Sequence, residues 1–186
     1  WEEASIPAGG AGTFSINVFG SGSTTNTTNC TEGEYWIGSA SVTTNSAGVN
    51  LVGIVNQTNF SSSGSSAYGA FDPGAATSTV VMPLLMDAYN IWTGWSVMNV
   101  GSSAAVTCSY GGTSISYTFT LGANEAKDVQ NINGGTGDPG QTLPANYIGS
   151  GTCTAASGGS LLGVVNQANQ NPGVTDGTLT YESVNN

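Results

Sequence analysis

The residues that come nearest to a catalytic arrangement in this chain are two carboxylates, Glu32 and Glu34. They stand two positions apart, so on a strand both would lie on one face, as a glycosidase pair does. Two solvated acids beside a loop account for the same spacing. The chain contains no histidine, which excludes Ser–His and Cys–His dyads. The sequence therefore predicts a protein that is not an enzyme.

The cysteines differ in their surroundings. Cys108 is in phase with apolar residues in the run 106–110, and Cys153 occupies the position that Val42 holds in an internal repeat described below. Both positions are therefore expected to face a core. Inward cysteines on neighbouring strands of an exported protein predict a disulfide, worth about 3–4 kcal/mol on loop-entropy grounds. Two buried free thiols are the alternative. Cys30, in a polar loop, is predicted to be an exposed thiol, a crosslink to a neighbouring subunit, or the partner of one of the other two.

Metal and cofactor sites have little support in the sequence. No histidine or second cysteine stands at ligand spacing, and the glycine runs lack the lysine and following helix of a phosphate loop. Asp72, Asp138 and Asp176 each lie in a turn, where aspartate commonly caps its own backbone. A calcium loop built from such acids is the alternative. We expect no metal and no cofactor.

Four asparagines begin Asn-Xaa-Ser/Thr sequons and are candidate N-glycosylation sites: Asn26, Asn29, Asn56 and Asn59. The first two lie in a polar, low-complexity loop over residues 21–29 and are the stronger candidates. Asn56 recurs as Asn166 in the internal repeat, without a sequon. The recurrence predicts that both asparagines make the same structural hydrogen bonds to the backbone.

Trp36, Trp92 and Trp95 are the residues from which a sugar-stacking platform would be built. Such a platform would make the protein a monomeric adhesin or carbohydrate-binding module with glycans as partners. Trp92 and Trp95 stand three residues apart, however, so they tend to face opposite sides of a strand. Tyr147 replaces Trp36 in the repeat, which suits a packing aromatic. Core or interface positions are the better expectation.

The charge of the chain excludes several kinds of partner. Eleven acidic residues face one basic residue, Lys127, for a net charge of −10. Nucleic acid and anionic lipid both require basic residues, so neither is an expected partner. Only 6% of residues are charged, which is typical of an exported protein covered by Ser, Thr, Asn and Gly. The start at Trp1, without Met or an apolar leader, fits an extracellular or cell-surface product whose signal peptide has been removed. No apolar run is long enough to insert into a membrane.

Part of the sequence is repeated. Residues 35–39 match residues 146–150 at an offset of 148 − 37 = 111, and residues 50–57 match residues 160–167 at an offset of 163 − 53 = 110. A repeat of this kind marks a module that is built more than once. The upstream part of the second copy, residues 79–112, has no counterpart before the first. The first copy is therefore predicted to be an incomplete module with an open edge.

Alternation of polar and apolar residues predicts strands. It occurs at residues 13–18, 96–100 and 115–119, between turns rich in Gly, Pro, Asp and Asn. The pattern predicts an all-β sandwich, immunoglobulin-like or jelly-roll-like, in which residues 1–74 form an incomplete module and 75–186 a complete one. Strands of the complete module are expected to begin near Thr79, Trp92, Ala104, Ser114, Asp128, Ile148, Ser160 and Thr178.

The order of the sequence blocks resembles a known module. The blocks are residues 83–86, 92–101, 148–150 and 164–167. Together they resemble the β-sandwich module that recurs in tandem in large secreted bacterial cell-surface proteins. The resemblance covers most of residues 79–186 and the matching part of 1–74. It implies an extracellular role without an assigned enzymatic activity.

These observations predict a structural subunit of an extracellular filament or surface layer, a homopolymer in which a neighbour completes the first module by strand addition. The candidate for the exchanged strand is alternating, uncharged and free of proline: Thr13, Phe14, Ser15, Ile16, Asn17 and Val18. In an alternative geometry, residues 75–115 are shared between both halves of one larger sandwich.

Overall fold

A computed structural model describes residues 5–13, 39–59, 64–131, 143–171, 173–174 and 177–186. The chain forms two compact units, residues 1–37 and 38–186. Residues 38–74 thus lie in the same compact unit as the rest of the sandwich. The predicted module boundary near Gly74 falls inside the second compact unit. It therefore stays a prediction about the sequence repeat and does not separate two compact units.

The described residues of the second unit form antiparallel strands. In chain order these are β1 (Ile54–Asn59), β2 (Gly64–Gly69), β3 (Thr79–Ala88), β4 (Ile91–Asn99), β5 (Ala104–Tyr110), β6 (Ser116–Leu121), β7 (Glu125–Asn131), β8 (Tyr147–Ala155), β9 (Leu161–Asn169), β10 (Thr178–Glu182) and β11 (Val184–Asn185). One 3₁₀ turn, Pro73–Ala75, precedes β3. Its N-cap is Asp72, whose Oδ1 accepts from the Gly74 N–H at 2.8 Å, so this aspartate caps its own backbone as predicted.

The strand positions follow from the alternation of the sequence. The predicted starts of the complete module differ from the observed ones by no more than 128 − 125 = 3 residues. In β5, alternate residues are buried from Ala104 to Tyr110, because successive side chains point to opposite faces of the sheet. The same alternation in β4 buries Thr93, Trp95, Val97 and Asn99.

The fold is an all-β sandwich. Strands β3 to β11 form one antiparallel sheet that folds over at the β3–β4 turn, since β3 and β4 pair through only two residue pairs. We call β10–β9–β4–β7 the front half and β11–β3–β8–β5–β6 the back half. Side chains of both halves pack on a common core, in which Trp95 of the front half is 1% exposed and Met82 of the back half is fully buried. Apolar burial of this kind is the main source of stability.

The predicted pair of cysteines lies within the back half. Cys108 of β5 and Cys153 of β8 are directly opposite each other in the ladder, with Cα atoms 4.0 Å apart, and the two form a disulfide. Both side chains are fully buried. The expectation for Val42 was wrong: its side chain is 69% exposed. Residues 39–53, which include it, form no strand and so have no sheet partner that would bury them.

A buried amide holds together the loops at one end of the sandwich. Asn99, the last residue of β4, is fully buried. Its Nδ2 donates to the carbonyl oxygens of Ser102 at 2.8 Å, Gly122 at 3.2 Å and Leu121 at 3.3 Å. Its Oδ1 accepts from the N–H groups of Gly101 and Ser160, each at 3.0 Å. These bonds satisfy backbone groups that would otherwise be buried without partners.

Candidate functional site

The β1–β2 hairpin repeats the β9–β10 hairpin residue for residue. The register of the first pairs Ile54 with Gly69 and Thr58 with Ser65, and that of the second pairs Val164 with Glu182. All five residue pairs of β9–β10 recur in β1–β2 when 110 is subtracted from the β9 residue numbers and 113 from the β10 residue numbers. The repeat seen in the sequence is therefore also a repeat of strand pairing.

The match extends one residue beyond the strands, to a glycine in each copy. The Gly53 carbonyl accepts from the Ala70 N–H at 2.8 Å, and the Gly163 carbonyl accepts from the Ser183 N–H at 2.9 Å. A Cβ at Gly53 would lie 2.9 Å from Ala70 Cβ, and one at Gly163 would lie 2.8 Å from Ser183 Oγ. Both copies thus use glycine because the facing residue approaches too closely for a side chain.

The two hairpins differ on their other side. Strand β9 pairs with β10 on one edge and with β4 on the other, across nine residue pairs. Strand β1 pairs with β2, and no other strand of the described residues lies against its second edge. The backbone groups along that edge have no ladder partner among those strands, which makes the edge a template for another strand.

The exposure of apolar side chains also differs between the two copies, since those of the first copy are more exposed than their counterparts in the second. The exposed fraction is 46% for Leu51 and 98% for Val52, against 0% and 5% for their counterparts Leu161 and Leu162. It is 72% for Ile54 and 36% for Val55, against 8% and 0% for Val164 and Val165. Scattered exposed apolar residues are normal on a monomer. Four lie within five consecutive positions, and each has a buried counterpart in the same chain, so residues 51–55 form a concentrated exposed apolar patch.

The face of the hairpin that is turned toward the sandwich makes polar contacts. Ser66 and Thr180 hydroxyls lie 2.6 Å apart, and Gln57 Oε1 lies within 3.4 Å of both. Tyr68, in the same hairpin, has its pKa raised by burial and, to a smaller extent, by the negative charge of Asp128 on β7. The hairpin therefore lies on the outer face of the front half.

The strand that β1–β2 contacts, β10, is anchored by a tyrosine that gives a pH-dependent prediction. The Tyr181 hydroxyl donates to the Leu84 carbonyl oxygen, and burial raises the pKa of Tyr181 to about 12. The unfolded chain loses this proton near pH 10. The contribution of Tyr181 to the free energy of unfolding is therefore fully present below pH 10 and is lost as the pH rises from 10 to 12. Chemical denaturation in steps from pH 9 to 12 measures the fall.

Tyr181→Phe is the matched variant for that experiment, because it keeps the ring and removes the proton. The variant should show a shallower loss of unfolding free energy between pH 10 and 12. Some loss should remain, because burial also raises the pKa of Tyr68 and Tyr147. An identical pH profile for the variant and the unaltered chain would refute the assignment to Tyr181.

The sequence-predicted site residues lie in different parts of the chain. Asn56 is exposed on β1, and Thr13 is exposed outside any strand. Asn59 ends β1, but the structure does not describe its side chain. Trp95 is in the core and Trp92 is half-buried, so the two do face opposite sides of β4. The other predicted residues lie outside the described ones: Phe14, Ser15, Ile16, Asn17, Val18, Asn26, Asn29, Cys30, Glu32, Glu34, Trp36, Asp138 and Asp176.

The expectation that Asn56 and Asn166 share hydrogen bonds to the backbone was wrong. The Asn166 Oδ1 accepts from the Thr180 hydroxyl at 2.6 Å, which is a bond between side chains. Asn56 stands opposite Ala67, which has no hydroxyl to donate. The recurrence of the asparagine is thus not explained by a shared bond.

No group of three or more His, Cys, Asp or Glu side chains in the described part of the chain is placed to hold a metal ion. Within those residues, no helix is both long and apolar enough to cross a membrane.

Comparison with known proteins adds little to these observations. The chain matches no known protein family and no curated protein. It is similar to one solved structure, the crystal structure of Thermotoga maritima 1070, over 60% of this chain and 96% of that one. The TM-score is 0.43 and the sequence identity is 7%. The function therefore has to be argued from the residues of the chain itself.

Proposed function

We propose that this chain is a structural subunit of an extracellular filament or surface layer, and that copies assemble by adding a strand of one to the open edge of β1 in the next. The observation that carries the proposal is the exposure of Leu51, Val52, Ile54 and Val55, whose counterparts in the second copy are all buried. In the complete module, the position beside β9 is filled by β4. The corresponding position beside β1 is the one that a neighbour fills.

The register of the added strand follows from the repeat. In the complete module Trp95 stands opposite Val165, and Gly94 stands opposite Asn166. Subtracting 110 places the incoming equivalents of Trp95 and Gly94 opposite Val55 and Asn56. Strand addition in this register pairs the open backbone groups and covers apolar surface, which together give affinity.

The donor that best fits this register is residues 13–18. Phe14-Ser15-Ile16 has the same pattern as Trp95-Ser96-Val97 of β4, with an aromatic residue, a serine and a β-branched residue in order. Aligned on that pattern, Phe14 of one copy takes the place of Trp95 and packs beside Val55 of the next. The segment carries no charge and no proline that would oppose pairing.

Such a contact joins two different surfaces, a donor segment and an acceptor edge. A heterologous contact of this kind repeats from copy to copy and gives an open filament unless the rotation closes a ring. The low charged fraction and the buried Cys108–Cys153 disulfide support an extracellular location. Negative self-charge, −10 per copy, should make assembly stronger as salt increases.

The test is sedimentation velocity combined with negative-stain electron microscopy of the full chain over a range of concentrations and salt. Uniform filaments or concentration-dependent oligomers are expected. A single 18.6 kDa species at every concentration and salt would refute the proposal.

The role of Cys30 is tested with Cys30→Ser, because a reducing agent would also act on the Cys108–Cys153 disulfide. Loss of assembly in that variant would assign Cys30 a crosslink between copies.

A further inference from the structure

The turn between β3 and β4 presents an aromatic side chain in an unusual way. Tyr89 and Asn90 both have left-handed backbone conformations, with φ of 56° and 59°. This is the geometry of a two-residue type I′ turn, in which Asn and Gly are the favoured residues. A bulky residue such as Tyr89 is disfavoured there. Its side chain is 74% exposed, so burial does not offset that cost.

The neighbouring loop holds this turn in place. The Asn171 Nδ2 donates to the Tyr89 carbonyl oxygen at 3.1 Å, and Asn90 Nδ2 donates to Asn171 Oδ1 at 2.8 Å. The Gln170 N–H donates to the Asn90 carbonyl oxygen at 2.8 Å. The backbone of Tyr89 is therefore fixed while its ring faces solvent. A residue that is costly, exposed and held by several bonds indicates a role beyond folding.

Tyr89 lines a cleft of about 500 Å³ at this end of the sandwich. That volume lies within the range of small-molecule sites. Two aromatic rings, one carboxylate and two amides line the cleft with two alanines; the polar and aromatic residues are Asp87, Tyr89, Asn90, Trp92 and Asn146. The half-buried Trp92 and the nearly buried Asp87 face each other in the β3–β4 ladder.

We propose that this cleft binds a neutral oligosaccharide. Aromatic rings offer flat apolar faces to the C–H groups of a sugar ring, and carboxylate and amide groups exchange hydrogen bonds with its hydroxyls. The lining contains no cation, and the chain carries a charge of −10, so an anionic ligand is disfavoured. The polar groups in the lining disfavour a purely apolar ligand. This activity is separate from assembly, because the cleft and the β1 edge share no residue.

A glycan array of neutral and acidic oligosaccharides, followed by titration of tryptophan fluorescence with the best neutral binder, tests this proposal. The unaltered chain should bind at least one neutral oligosaccharide saturably. The variant Tyr89→Asn, which suits the turn better, should bind it at least tenfold more weakly. Its melting temperature should be equal or higher, a combination that a merely structural tyrosine would not produce.

The matched control is Asn124→Gly, which changes another left-handed residue, one that does not line the cleft. It should leave saccharide binding unchanged. Three results would overturn the proposal: no saturable binding to any neutral glycan, preference for acidic glycans, or equal binding by Tyr89→Asn. An assembly-deficient variant that still binds the saccharide would separate this proposal from the proposed function.

Discussion

Replacing Asn56 with proline is expected to weaken assembly strongly while leaving the subunit folded. In β1 the Gly53 carbonyl points to β2, where it accepts from the Ala70 N–H. Because backbone groups of successive residues point to opposite sides of a strand, the N–H groups of Ile54, Asn56 and Thr58 point to the open edge. Proline at position 56 removes one of these donors and places a ring in the path of an incoming strand. The same residue leaves the β1–β2 ladder bonds intact.

The size of the effect follows from the lost hydrogen bond, which costs about 2 kcal/mol when its partner is left unsatisfied, or roughly thirtyfold in the dissociation constant between copies. Sedimentation velocity at matched concentrations measures that change, and thermal unfolding checks that the subunit remains folded. Asn56→Ala is the control, since it removes the side chain and the sequon but keeps the N–H. Equal assembly by Asn56→Pro and Asn56→Ala would refute pairing at this edge.

Much of the fold is readable from the sequence because inward and outward residues alternate in strands such as β4 and β5, whereas the first five residues of β9 are all buried and show no alternation. The strand starts near Thr79, Ala104 and Thr178 were placed correctly, since each follows a turn and opens an alternating run. In the structure the repeat extends to strand pairing, since Val55 and Val165 each lie opposite a tyrosine in the same hairpin register.

Contacts that depend on tertiary structure could not be predicted in this way. The position of Val42 was inferred from its aligned partner Cys153. Burial of Cys153 requires the neighbouring β3 and β5, whereas no strand of the described residues pairs with Val42. Asn99 is in phase with the inward residues of β4, but its alternation does not indicate which groups its amide contacts. Its five hydrogen bonds join residues that are up to 61 positions away, so no window of sequence reveals them.

The acceptor and donor of the proposed assembly also differ in how well the sequence indicates them. The donor, residues 13–18, stands out because it alternates and is uncharged. The acceptor is inconspicuous as sequence, since residues 51–57 read like their buried counterparts 161–167. Only the exposed fractions in the folded chain separate the two copies, and no strand of the described residues lies at the second edge of β1.

Removing the Cys108–Cys153 disulfide is expected to cost about 4 kcal/mol, because it closes a loop with a sequence separation of 45 residues. For a chain of this length, that loss lowers the melting temperature by about 10 °C. The double variant Cys108→Ala/Cys153→Ala tests it, because alanine fits the fully buried positions without leaving two unpaired thiols. Differential scanning calorimetry of the isolated subunit gives the change directly.

Cys30→Ser is the control for this experiment, since it removes a cysteine without touching the disulfide. It should leave the melting temperature of the isolated subunit unchanged, and the unfolded, unreduced wild-type subunit should take up one equivalent of alkylating reagent. A drop in melting temperature for Cys30→Ser as large as that of the double variant would mean that Cys30 belongs to the disulfide. If the prediction holds, a reducing agent that opens this disulfide also destabilises the subunit, so a crosslink through Cys30 has to be shown by its own substitution.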